Sequence, residues 1–410
     1  MDDGVVGSVD RGPGAGSQRA LRTANTRRVL SALAENGPMT QAALSRVTGL
    51  STATISNIVA SLRDEGSVLT SPTTASGRRA VLVELGGPSS GKVAAGIDIG
   101  RRHLRIILAT LSRDVVAEEA VSLPPRHSAE ESIARADQLL SVLLRRAGRR
   151  RQDVVGCGVG IPGPIDARTG EIAHGIILPT WVGFRPVDRL RAALGLPVFL
   201  DNDANLGALA EVTWGPYVDV DHLLFLKVAS GIGSGLILSG QVYRGAMGIT
   251  GEIGHIPVSE HGQVCRCGNR GCLETVASTA VMLEALARTG VVEPEAGVGR
   301  LVELVDSGNP AAGRVLEDAG LALGQVLGTM ANMLNPSVAV IGGPLAPLGE
   351  TLLAPVRRGL RRYASPTVSV ATEVVATSLG ERAEALGACS LVFQQAQEET
   401  WLPGSSLISL

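Results

Sequence analysis

The chain has 410 residues, 45% of them apolar and only 2% aromatic, and its net charge is −2. The length allows two or three domains with aliphatic cores, and the lack of any run of about 18 apolar residues excludes a transmembrane helix. Because no apolar segment follows a basic start, we expect a soluble, cytoplasmic protein without a membrane partner.

The N-terminal part of the chain is more basic than the rest. Residues 1–17 are rich in Gly, Ser and Asp and predict a disordered tail, whereas residues 18–80 contain eight arginines and three acidic residues. Such a basic segment indicates an anionic partner, for which nucleic acid is the natural candidate. The simpler explanation is that Arg is abundant throughout the chain, since Lys occurs only at positions 92 and 227.

Three helical patterns follow the predicted tail. The first ends near Asn36, where Gly and Pro come next. Thr40 can cap the second helix, on which we expect Leu44 and Val47 to face inward. Ser51 can cap the third helix, whose apolar residues recur at helical spacing and whose opposite face has short polar groups suited to base edges and phosphates. The predicted DNA-binding residues on that face are Ser51, Thr52, Thr54, Ser56 and Asn57.

Two short strand patterns come next, at Val68–Leu69 and Val81–Val83, joined by a turn that contains Arg78 and Arg79. This order of helices and a basic hairpin resembles the winged helix-turn-helix of bacterial regulators, whose recognition helix enters the major groove. Arg78 and Arg79 are then predicted DNA contacts. The alternative is a small helical domain that contacts another subunit. Residues 86–92, rich in Pro, Ser and Gly, predict a linker.

From Val93 onward, buried-strand patterns alternate with helical patterns, which indicates an α/β architecture. Polar or glycine-rich segments follow several of these strands. Asp98 closes the first strand, and Asn202 and Asp203 follow a later one. A glycine-rich segment at Ser230–Gly235 is predicted to be a loop.

Four potential metal ligands lie close together in the second half of the chain. His255 is followed by Cys265, Cys267 and Cys272, and the glycines between the cysteines permit tight turns. Three thiolates and one imidazole around a tetrahedral centre are typical of structural zinc. Because four protein ligands leave no position for a catalytic water, we expect a structural Zn²⁺ that fixes this loop. Reduced, unligated thiols or a local disulfide are the alternatives.

These motifs, taken in chain order, resemble those of the ROK family, which comprises repressors, open reading frames and kinases. They are Asp-x-Gly at 98–100, Gly-Pro at 163–164, Asn-Asp-Ala-Asn at 202–205, Gly-x-Gly-x-Gly at 231–235, Gly-Glu-Ile-Gly-His at 251–255, the cysteine cluster and Ile-Gly-Gly at 341–343. The resemblance covers residues 20–395, approximately. It implies an α/β, actin/hexokinase-like, two-lobed body preceded by an all-α/winged helix-turn-helix DNA-binding domain.

The resemblance and the composition together predict five segments. They are a tail at 1–17, a winged helix-turn-helix domain at 18–85, a linker at 86–92, a first lobe at 93–203 that includes a C-terminal helix at about 381–397, and a second lobe with the zinc site at 204–380.

The resemblance also implies a sugar site. Carboxylates form charge-assisted hydrogen bonds to the hydroxyls of a hexose. In the family, the residues that line the sugar site match Asn202, Asp203, Glu252, His255 and Glu274, and all five are present here. His255 would bind zinc through one ring nitrogen and lie near a sugar hydroxyl through the other. As the alternative, Glu252 or Glu274 is a solvated structural charge.

The phosphate half of the site departs from the kinase pattern. The kinases have Asp-x-Gly-Gly-Thr-Lys at their first phosphate loop, whereas here Arg101, Arg102 and His103 follow Gly100. Bulky arginines replace the glycine and the hydroxyl residue where a phosphate must approach closely. Asp203 matches the general base of the kinases and would be the base of an active kinase or its vestige. We expect a sensor and not an enzyme.

The sequence thus predicts a sugar-responsive transcriptional regulator, a repressor of carbohydrate-metabolism genes, with operator DNA and a sugar or sugar derivative as partners. Since helix-turn-helix proteins bind paired half-sites, we expect a homodimer or homotetramer. The alternatives are an ATP-dependent hexose kinase that has kept a DNA-binding head, and a scaffold that binds neither ligand nor DNA.

Overall fold

The structure, a computed structural model, describes residues 25–26, 28–30, 32–33, 36–64, 68–75, 78–85, 92–172, 178–181 and 185–399. The predicted tail at 1–17 and positions 86–91 of the predicted linker lie outside the described residues. The chain divides into two compact units. The first comprises Met1–Lys92, Thr110–Asp114 and Gln395–Ser406, and the second comprises Val93–Ala109, Val115–Gln394 and Leu407–Leu410.

The first unit contains helices followed by a three-stranded sheet. Helical residues 25–26, 28–30, 32–33 and 36 come first. They are followed by β1 (Met39–Thr40), α1 (Gln41–Thr48), α2 (Thr52–Asp64), β2 (Val68–Ala75) and β3 (Arg78–Leu85). The strands pair antiparallel in the order β1-β3-β2. This is the order of elements predicted for a winged helix-turn-helix.

Both predicted helix caps of this unit are confirmed. Thr40 Oγ1 accepts a hydrogen bond from the backbone N–H of Ala43 at 3.2 Å, and Ser51 Oγ accepts one from that of Thr54 at 3.1 Å. These bonds satisfy N–H groups that have no partner within the helix. The apolar face of α2 is buried as predicted. Its buried residues are Ile55, Ile58, Val59 and Leu62.

One inward-facing residue of α1 was predicted wrongly. Val47 is 55% exposed, whereas the neighbouring Thr48 is buried. The Thr48 hydroxyl donates a hydrogen bond to the carbonyl oxygen of Leu44 at 2.6 Å. A buried threonine is tolerated here because its polar group is satisfied within the helix, and the apolar pattern alone does not reveal that.

The predicted turn of the basic hairpin is also corrected. Arg78 and Arg79 are the first residues of β3 and pair with Ala75 and Thr74 of β2. The strands are longer than their apolar cores, because the threonines of β2 favour extended backbone and continue the ladder. The connection is therefore limited to residues 76 and 77, which lie outside the described residues.

The second unit is built on two five-stranded mixed sheets. The first sheet consists of β4 (Val93–Ile99), β5 (His103–Ala109), β6 (Val115–Ser122), β7 (Val154–Ile161) and β10 (Val198–Asn202). The second consists of β11 (His222–Val228), β12 (Ile232–Leu238), β13 (Gln241–Val242), β14 (Val338–Gly342) and β15 (Glu373–Ala376). A small hairpin joins β8 (Ile165–Asp166) and β9 (Glu171–Ile172).

Helices cover these sheets. They are α3 (Ala129–Arg146), α4 (Pro186–Leu194), α5 (Asp203–Glu211), α6 (Glu274–Ala277), α7 (Thr279–Arg288), α8 (Val298–Asp306), α9 (Pro310–Leu334), α10 (Glu350–Tyr363), α11 (Pro366–Ala371) and α12 (Ala383–Glu399). None of the described helices is long and apolar enough to cross a bilayer. All residues of β4 and β14 are buried, as expected for strands covered on both faces.

The two sheets have the same topology, with strand orders β10-β7-β4-β5-β6 and β13-β12-β11-β14-β15. In each sheet the first three strands form an antiparallel meander, and the next two add in parallel beside the first strand. Strands β4 and β11 are therefore equivalent central strands. The α/β architecture predicted from the sequence is confirmed, with an internal duplication that the sequence patterns did not reveal. The lobe boundaries at 203 and 380 stay predictions.

The glycine-rich segment at Ser230–Gly235 is mostly strand and not loop. Strand β12 begins at Ile232, which pairs with Val228 of β11. Gly235 is needed for packing, because a Cβ atom there would lie 2.3 Å from the carbonyl oxygen of Ala204. The glycine at 235 thus lets α5 approach the sheet closely.

Candidate functional site

A cavity of about 1090 Å³ opens in the second unit, where central strands of both sheets end. Crevices at the carboxyl ends of such strands are the usual binding sites of α/β folds. The structure brings all of the predicted sugar-binding residues into the wall of this one cavity. They are Asn202, Asp203, Glu252, His255 and Glu274.

Asn202 lies at the corner between β10 and α5 and is used partly by the fold. Its Oδ1 caps α5 by accepting hydrogen bonds from the N–H groups of Ala204 and Asn205, at 2.9 and 3.3 Å. Its Nδ2 donates to the carbonyl oxygen of Gly163 at 3.0 Å. One amide hydrogen of Asn202 remains for a ligand.

Asp203 is paired with a buried lysine. Lys227, near the end of β11, has its Nζ 2.8 Å from Asp203 Oδ2 and 3.0 Å from Glu384 Oε1 on α12. Burial alone would lower the pKa of Lys227, but the two carboxylates raise it well above its ordinary value. Burial likewise raises the pKa of Glu384, against the opposing effect of Lys227. The ammonium therefore stays charged between two carboxylates.

Sequence reasoning did not find Lys227 or Glu384. One signal was available, because Lys227 interrupts the otherwise apolar end of a buried strand in a chain with only two lysines. A lone charged residue in such a strand is almost never fully buried unless it is paired. Glu384 gave no comparable signal, since it lies in the first turn of a helix, where acidic residues are common.

A second ion pair links the end of β4 to the start of β5. His103 Nε2 lies 2.7 Å from Asp98 Oδ2. Burial raises the pKa of Asp98, but the charges of His103, Lys227 and Arg105 outweigh that effect and bring it to about 2. The Asp98 charge in turn raises the pKa of His103, although burial opposes it. The segment that the sequence matched to the first phosphate loop of the kinases therefore has an internal ion pair.

The predicted metal ligands form one cluster. The ligand atoms of His255, Cys265, Cys267 and Cys272 all lie within 4.8 Å of one another. Tetrahedral zinc with Zn–S of ~2.3 Å and Zn–N of ~2.0 Å would place two sulfurs about 3.8 Å apart and a sulfur and a nitrogen about 3.5 Å apart. The Sγ atoms of Cys267 and Cys272 are 3.8 Å apart, and Cys265 Sγ is 3.6 Å from His255 Nδ1. The residues present fit a zinc ion.

The structure does not contain the local disulfide that the sequence left open. A disulfide needs an S–S distance of about 2.05 Å, and all five cysteines are free. The backbone of the loop is held by short turns, such as the bond from the N–H of Cys265 to the carbonyl oxygen of Asn269 at 2.7 Å. Gly271 has φ of 67°, and a Cβ there would lie 1.7 Å from the carbonyl oxygen of Ser259. The glycine at 271 is therefore required for the tight turn.

The two ring nitrogens of His255 face different groups. Its Nδ1 faces Cys265, and its Nε2 lies 3.7 Å from Glu252 Oε2. Burial raises the pKa of Glu252 to about 7, with further contributions from Asp203 and Glu274. Glu274 Oε2 accepts a hydrogen bond from the N–H of Ile232 at 3.3 Å. The cluster and the cavity thus share His255.

The predicted DNA-binding residues lie in the first unit. Thr54 is half-buried, and its hydroxyl lies 2.8 Å from that of the cap residue Ser51. Arg79 is exposed, and for Arg78 the structure describes only the backbone. The other predicted contacts on α2 and its cap are exposed to solvent. They are Ser51, Thr52, Ser56 and Asn57.

Family models match both units of the chain. A model described as the ROK family matches residues 94–395. A model described as the MarR family matches residues 23–79. The first match covers most of the chain and contains the whole cavity, and the second contains α1 and α2.

Individual relatives include proteins named as repressors and proteins named as glucokinases. The xylose repressor of Caldicellulosiruptor bescii is 27% identical over 392 residues, which cover 92% of this chain and 97% of the repressor. A glucokinase of Halalkalibacterium halodurans is 32% identical over 314 residues, which cover 73% of this chain and 94% of the kinase. A crystal structure of a ROK family transcriptional regulator, a homolog of the E. coli MLC protein, has a TM-score of 0.77 at 25% identity and covers 94% of this chain and 100% of that one.

Proposed function

Since the chain belongs to the ROK family, we propose that it is a transcriptional repressor whose affinity for operator DNA changes when its body binds a sugar or sugar derivative. One observation supports this most strongly. A winged-helix unit and a body with all the predicted sugar-binding residues around one cavity occur in the same chain. The similarity to a protein named a xylose repressor covers 92% of the chain, more than the body alone provides.

In this proposal α2 is the recognition helix and lies in the major groove of the operator. Its exposed Ser56 and Asn57 contact base edges, and residues near its N-terminus contact phosphates. Arg78 and Arg79 at the start of β3 contact the minor groove or the phosphates. Because the recognition helix reads one half-site, the repressor binds as a homodimer or homotetramer, in the cytoplasm with its DNA.

The sugar binds in the cavity of the body. Glu252 and Glu274 accept hydrogen bonds from its hydroxyls, together with Asp203, and Asn202 donates its remaining amide hydrogen. His255 Nε2 lies on the cavity side of the loop and contacts the sugar. A ligand that binds one arrangement of the body more tightly than another shifts the population between the two and so changes operator affinity.

The metal in this proposal is a structural Zn²⁺ held by His255 Nδ1 and the sulfurs of Cys265, Cys267 and Cys272. Zinc supplies a rigid tetrahedral centre and no open position for a reacting water. The residues of the loop then do the remaining work. They orient His255 so that its second nitrogen faces the cavity, which links occupancy of the metal site to sugar binding.

A hexose kinase is the second candidate, and the similarity to a glucokinase favours it. Two features of the cavity oppose it. Lys227 lies on Asp203 Oδ2 at 2.8 Å, at the oxygen that would take the proton from a sugar hydroxyl. Arg101 and Arg102 stand where close approach of a phosphate requires small residues. We propose that the body binds its ligand without phosphorylating it.

The test uses the full-length, zinc-loaded protein and a fluorescent fragment of its own promoter. Sugars that raise the melting temperature are first selected, since a ligand that binds only the folded state must stabilise it. The anisotropy of the fragment is then measured with and without each selected sugar. We expect salt-dependent binding that one sugar changes at least severalfold. Absence of salt-dependent binding, or binding that no stabilising sugar alters, would contradict the proposal.

A further inference from the structure

The charged groups of the cavity divide into those with a partner and those without one. Lys227 is paired with Asp203 and Glu384, and Asp98 is paired with His103. A third ion pair joins Arg105 Nη2 to Glu381 Oε2 at 3.0 Å. In these contacts the three cations face four acidic groups, so none of their positive charge remains for a ligand.

Three arginines of the same wall have no such partner. Arg101 and Arg102 follow β4, and Arg266 lies between two of the cysteines of the metal cluster. Among the described residues, no carboxylate forms an ion pair with any of these three. Burial, followed by the positive charges of Arg266, Arg102 and Arg126, lowers the pKa of Arg101. Arg101 is half-buried and Arg102 and Arg266 are exposed, so the three arginines create a positive region with no described carboxylate at ion-pair distance.

Two carboxylates of the wall likewise have no basic partner. Glu252 and Glu274 form no ion pair with Lys or Arg among the described residues. Carboxylates in this state can accept hydrogen bonds from hydroxyls, and free guanidinium groups can donate pairs of hydrogen bonds to a phosphate or a carboxylate. One cavity thus offers hydroxyl acceptors and an anion-binding region together.

From this arrangement we infer that the effector is a monosaccharide that has an anionic group, a phosphate ester or a carboxylate, bound by Arg101, Arg102 and Arg266. The inference rests on the proposed function and specifies the ligand of the same cavity. The hydroxyls of this monosaccharide face Glu252 and Glu274. A neutral sugar would leave the arginines unneutralised, whereas a charged sugar satisfies both sets of groups at once.

A nucleotide is the other phosphate source to be distinguished. The resemblance matches the loop after Asp98 to the first phosphate loop of the kinases, and this chain has Arg101 and Arg102 there in place of small residues. A single phosphate or carboxylate on a sugar needs donors at the edge of the sugar site and no phosphate loop. A nucleotide and an anionic sugar are therefore alternative ligands of the same arginines, and binding measurements distinguish them.

Binding is measured by calorimetry on the full-length, zinc-loaded protein. The probes are glucose, mannose and N-acetylglucosamine, their 6-phosphates, glucose 1-phosphate, glucuronate, inorganic phosphate, and ATP with magnesium. We expect at least one charged sugar to bind roughly tenfold to a hundredfold more tightly than its neutral parent. Its advantage should shrink as salt is raised, because the contact is ionic and near solvent.

Arg101→Gln and Arg266→Gln should each remove most of that advantage and leave the neutral parent unaffected. Arg288→Gln is the control, since Arg288 is an exposed arginine on α7 that does not line the cavity. Glu252→Gln should weaken the charged and the neutral sugar by the same factor, which separates the hydroxyl contacts from the anion contacts.

Equal affinity for charged and neutral sugars would overturn the inference while leaving the proposed function intact. The same holds if the preference persists in both arginine variants, or if ATP is the charged probe that depends on Arg101. Failure of every sugar to bind would overturn the inference and the proposed function together. Binding of inorganic phosphate as tight as that of the charged sugar would also count against it, since the sugar would then add nothing.

Discussion

The ammonium of Lys227 lies 2.8 Å from the carboxylate of Asp203, and it joins the central strand of the second sheet to the start of α5, which follows β10 of the first sheet. Glu384 on α12 lies 3.0 Å from the same ammonium. These two contacts therefore link β11, α5 and α12 around the cavity. In a phosphoryl-transfer enzyme Asp203 would have to accept a proton, and here its Oδ2 is already bound to a cation.

Lys227→Met tests how far the fold depends on this contact. The substitution leaves Asp203 and Glu384 buried without their cation, and breaking a buried pair in this way costs about 3–5 kcal/mol. We expect a clearly lower free energy of unfolding in urea, with partial recovery when Glu384→Gln is added. Lys92→Met, at the other, exposed lysine, should change little. Unchanged stability of the Lys227 variant would show that the contact is not formed.

Cys267→Ser tests the metal cluster. Loss of one thiolate should remove most of the bound zinc, because serine is a poor ligand for a site built on sulfur. The response of operator binding to sugar should be lost with the metal, since His255 belongs to both the cluster and the cavity. Zinc is measured by atomic emission, with His261→Ala on the same segment as the control. Full zinc content in the serine variant would refute the ligand assignment.

Glu252→Ala tests the division of labour between the units. The variant should bind the promoter fragment with unchanged affinity and lose its response to sugar, because the acceptor for the sugar hydroxyl is gone. Glu260→Ala, which removes an exposed carboxylate outside the cavity, should behave as the wild type. If Glu252→Ala abolished DNA binding instead, the assignment of sugar binding to the body and DNA binding to the winged helix would be wrong.

Asn57→Ala and Arg79→Ala test the DNA-binding surface. The first should weaken operator binding by roughly tenfold and reduce discrimination between base pairs, since an asparagine reads base edges. The second should weaken binding to all sequences and reduce the salt slope by about one, since an arginine in the wing contacts phosphate. Arg288→Ala is the control for charge. Two variants with wild-type affinity and salt slope would place the DNA contacts elsewhere.

The Asp98–His103 pair predicts a dependence of stability on pH. The pKa of Asp98 is lowered from 3.8 to about 2, so its contribution is present above pH 3.8 and lost as the pH falls toward 2. The pKa of His103 is raised from 6.5, so its contribution is present below pH 6.5 and lost as the pH rises through the raised value. His103→Asn should therefore lower the melting temperature most between these limits and less at pH 9. A penalty that grows at pH 9 would contradict the pairing.

Local patterns predicted much of the winged helix and of the strands. The caps at Thr40 and Ser51 and the buried face of α2 follow from neighbouring residues, and the strand that ends at Ile99 follows from its apolar run. Val47 was misplaced because helical periodicity does not show that a threonine can satisfy its own hydroxyl. The hairpin at Arg78 was misplaced because cross-strand pairing extends strands beyond their apolar residues.

The candidate site was predicted only as far as its motifs reach. His255 and the three cysteines are near in sequence, so their spacing indicated a cluster. Lys227, Glu384 and the pairing of Asp98 with His103 depend on how distant elements pack, and no local pattern specifies that. The duplicated topology of the two sheets was missed for the same reason, since it is a relation between pairing orders and not between residues.

The central claim is that the body binds a sugar ligand and does not phosphorylate it. The most direct measurement follows operator binding and ATP consumption in one sample of full-length, zinc-loaded protein, with magnesium, ATP and the sugar that raises its melting temperature. We predict a change in operator affinity at the sugar's binding concentration and ATP consumption no faster than without the sugar. Sugar-dependent turnover at about 1–100 s⁻¹, the range of kinases, would contradict the account.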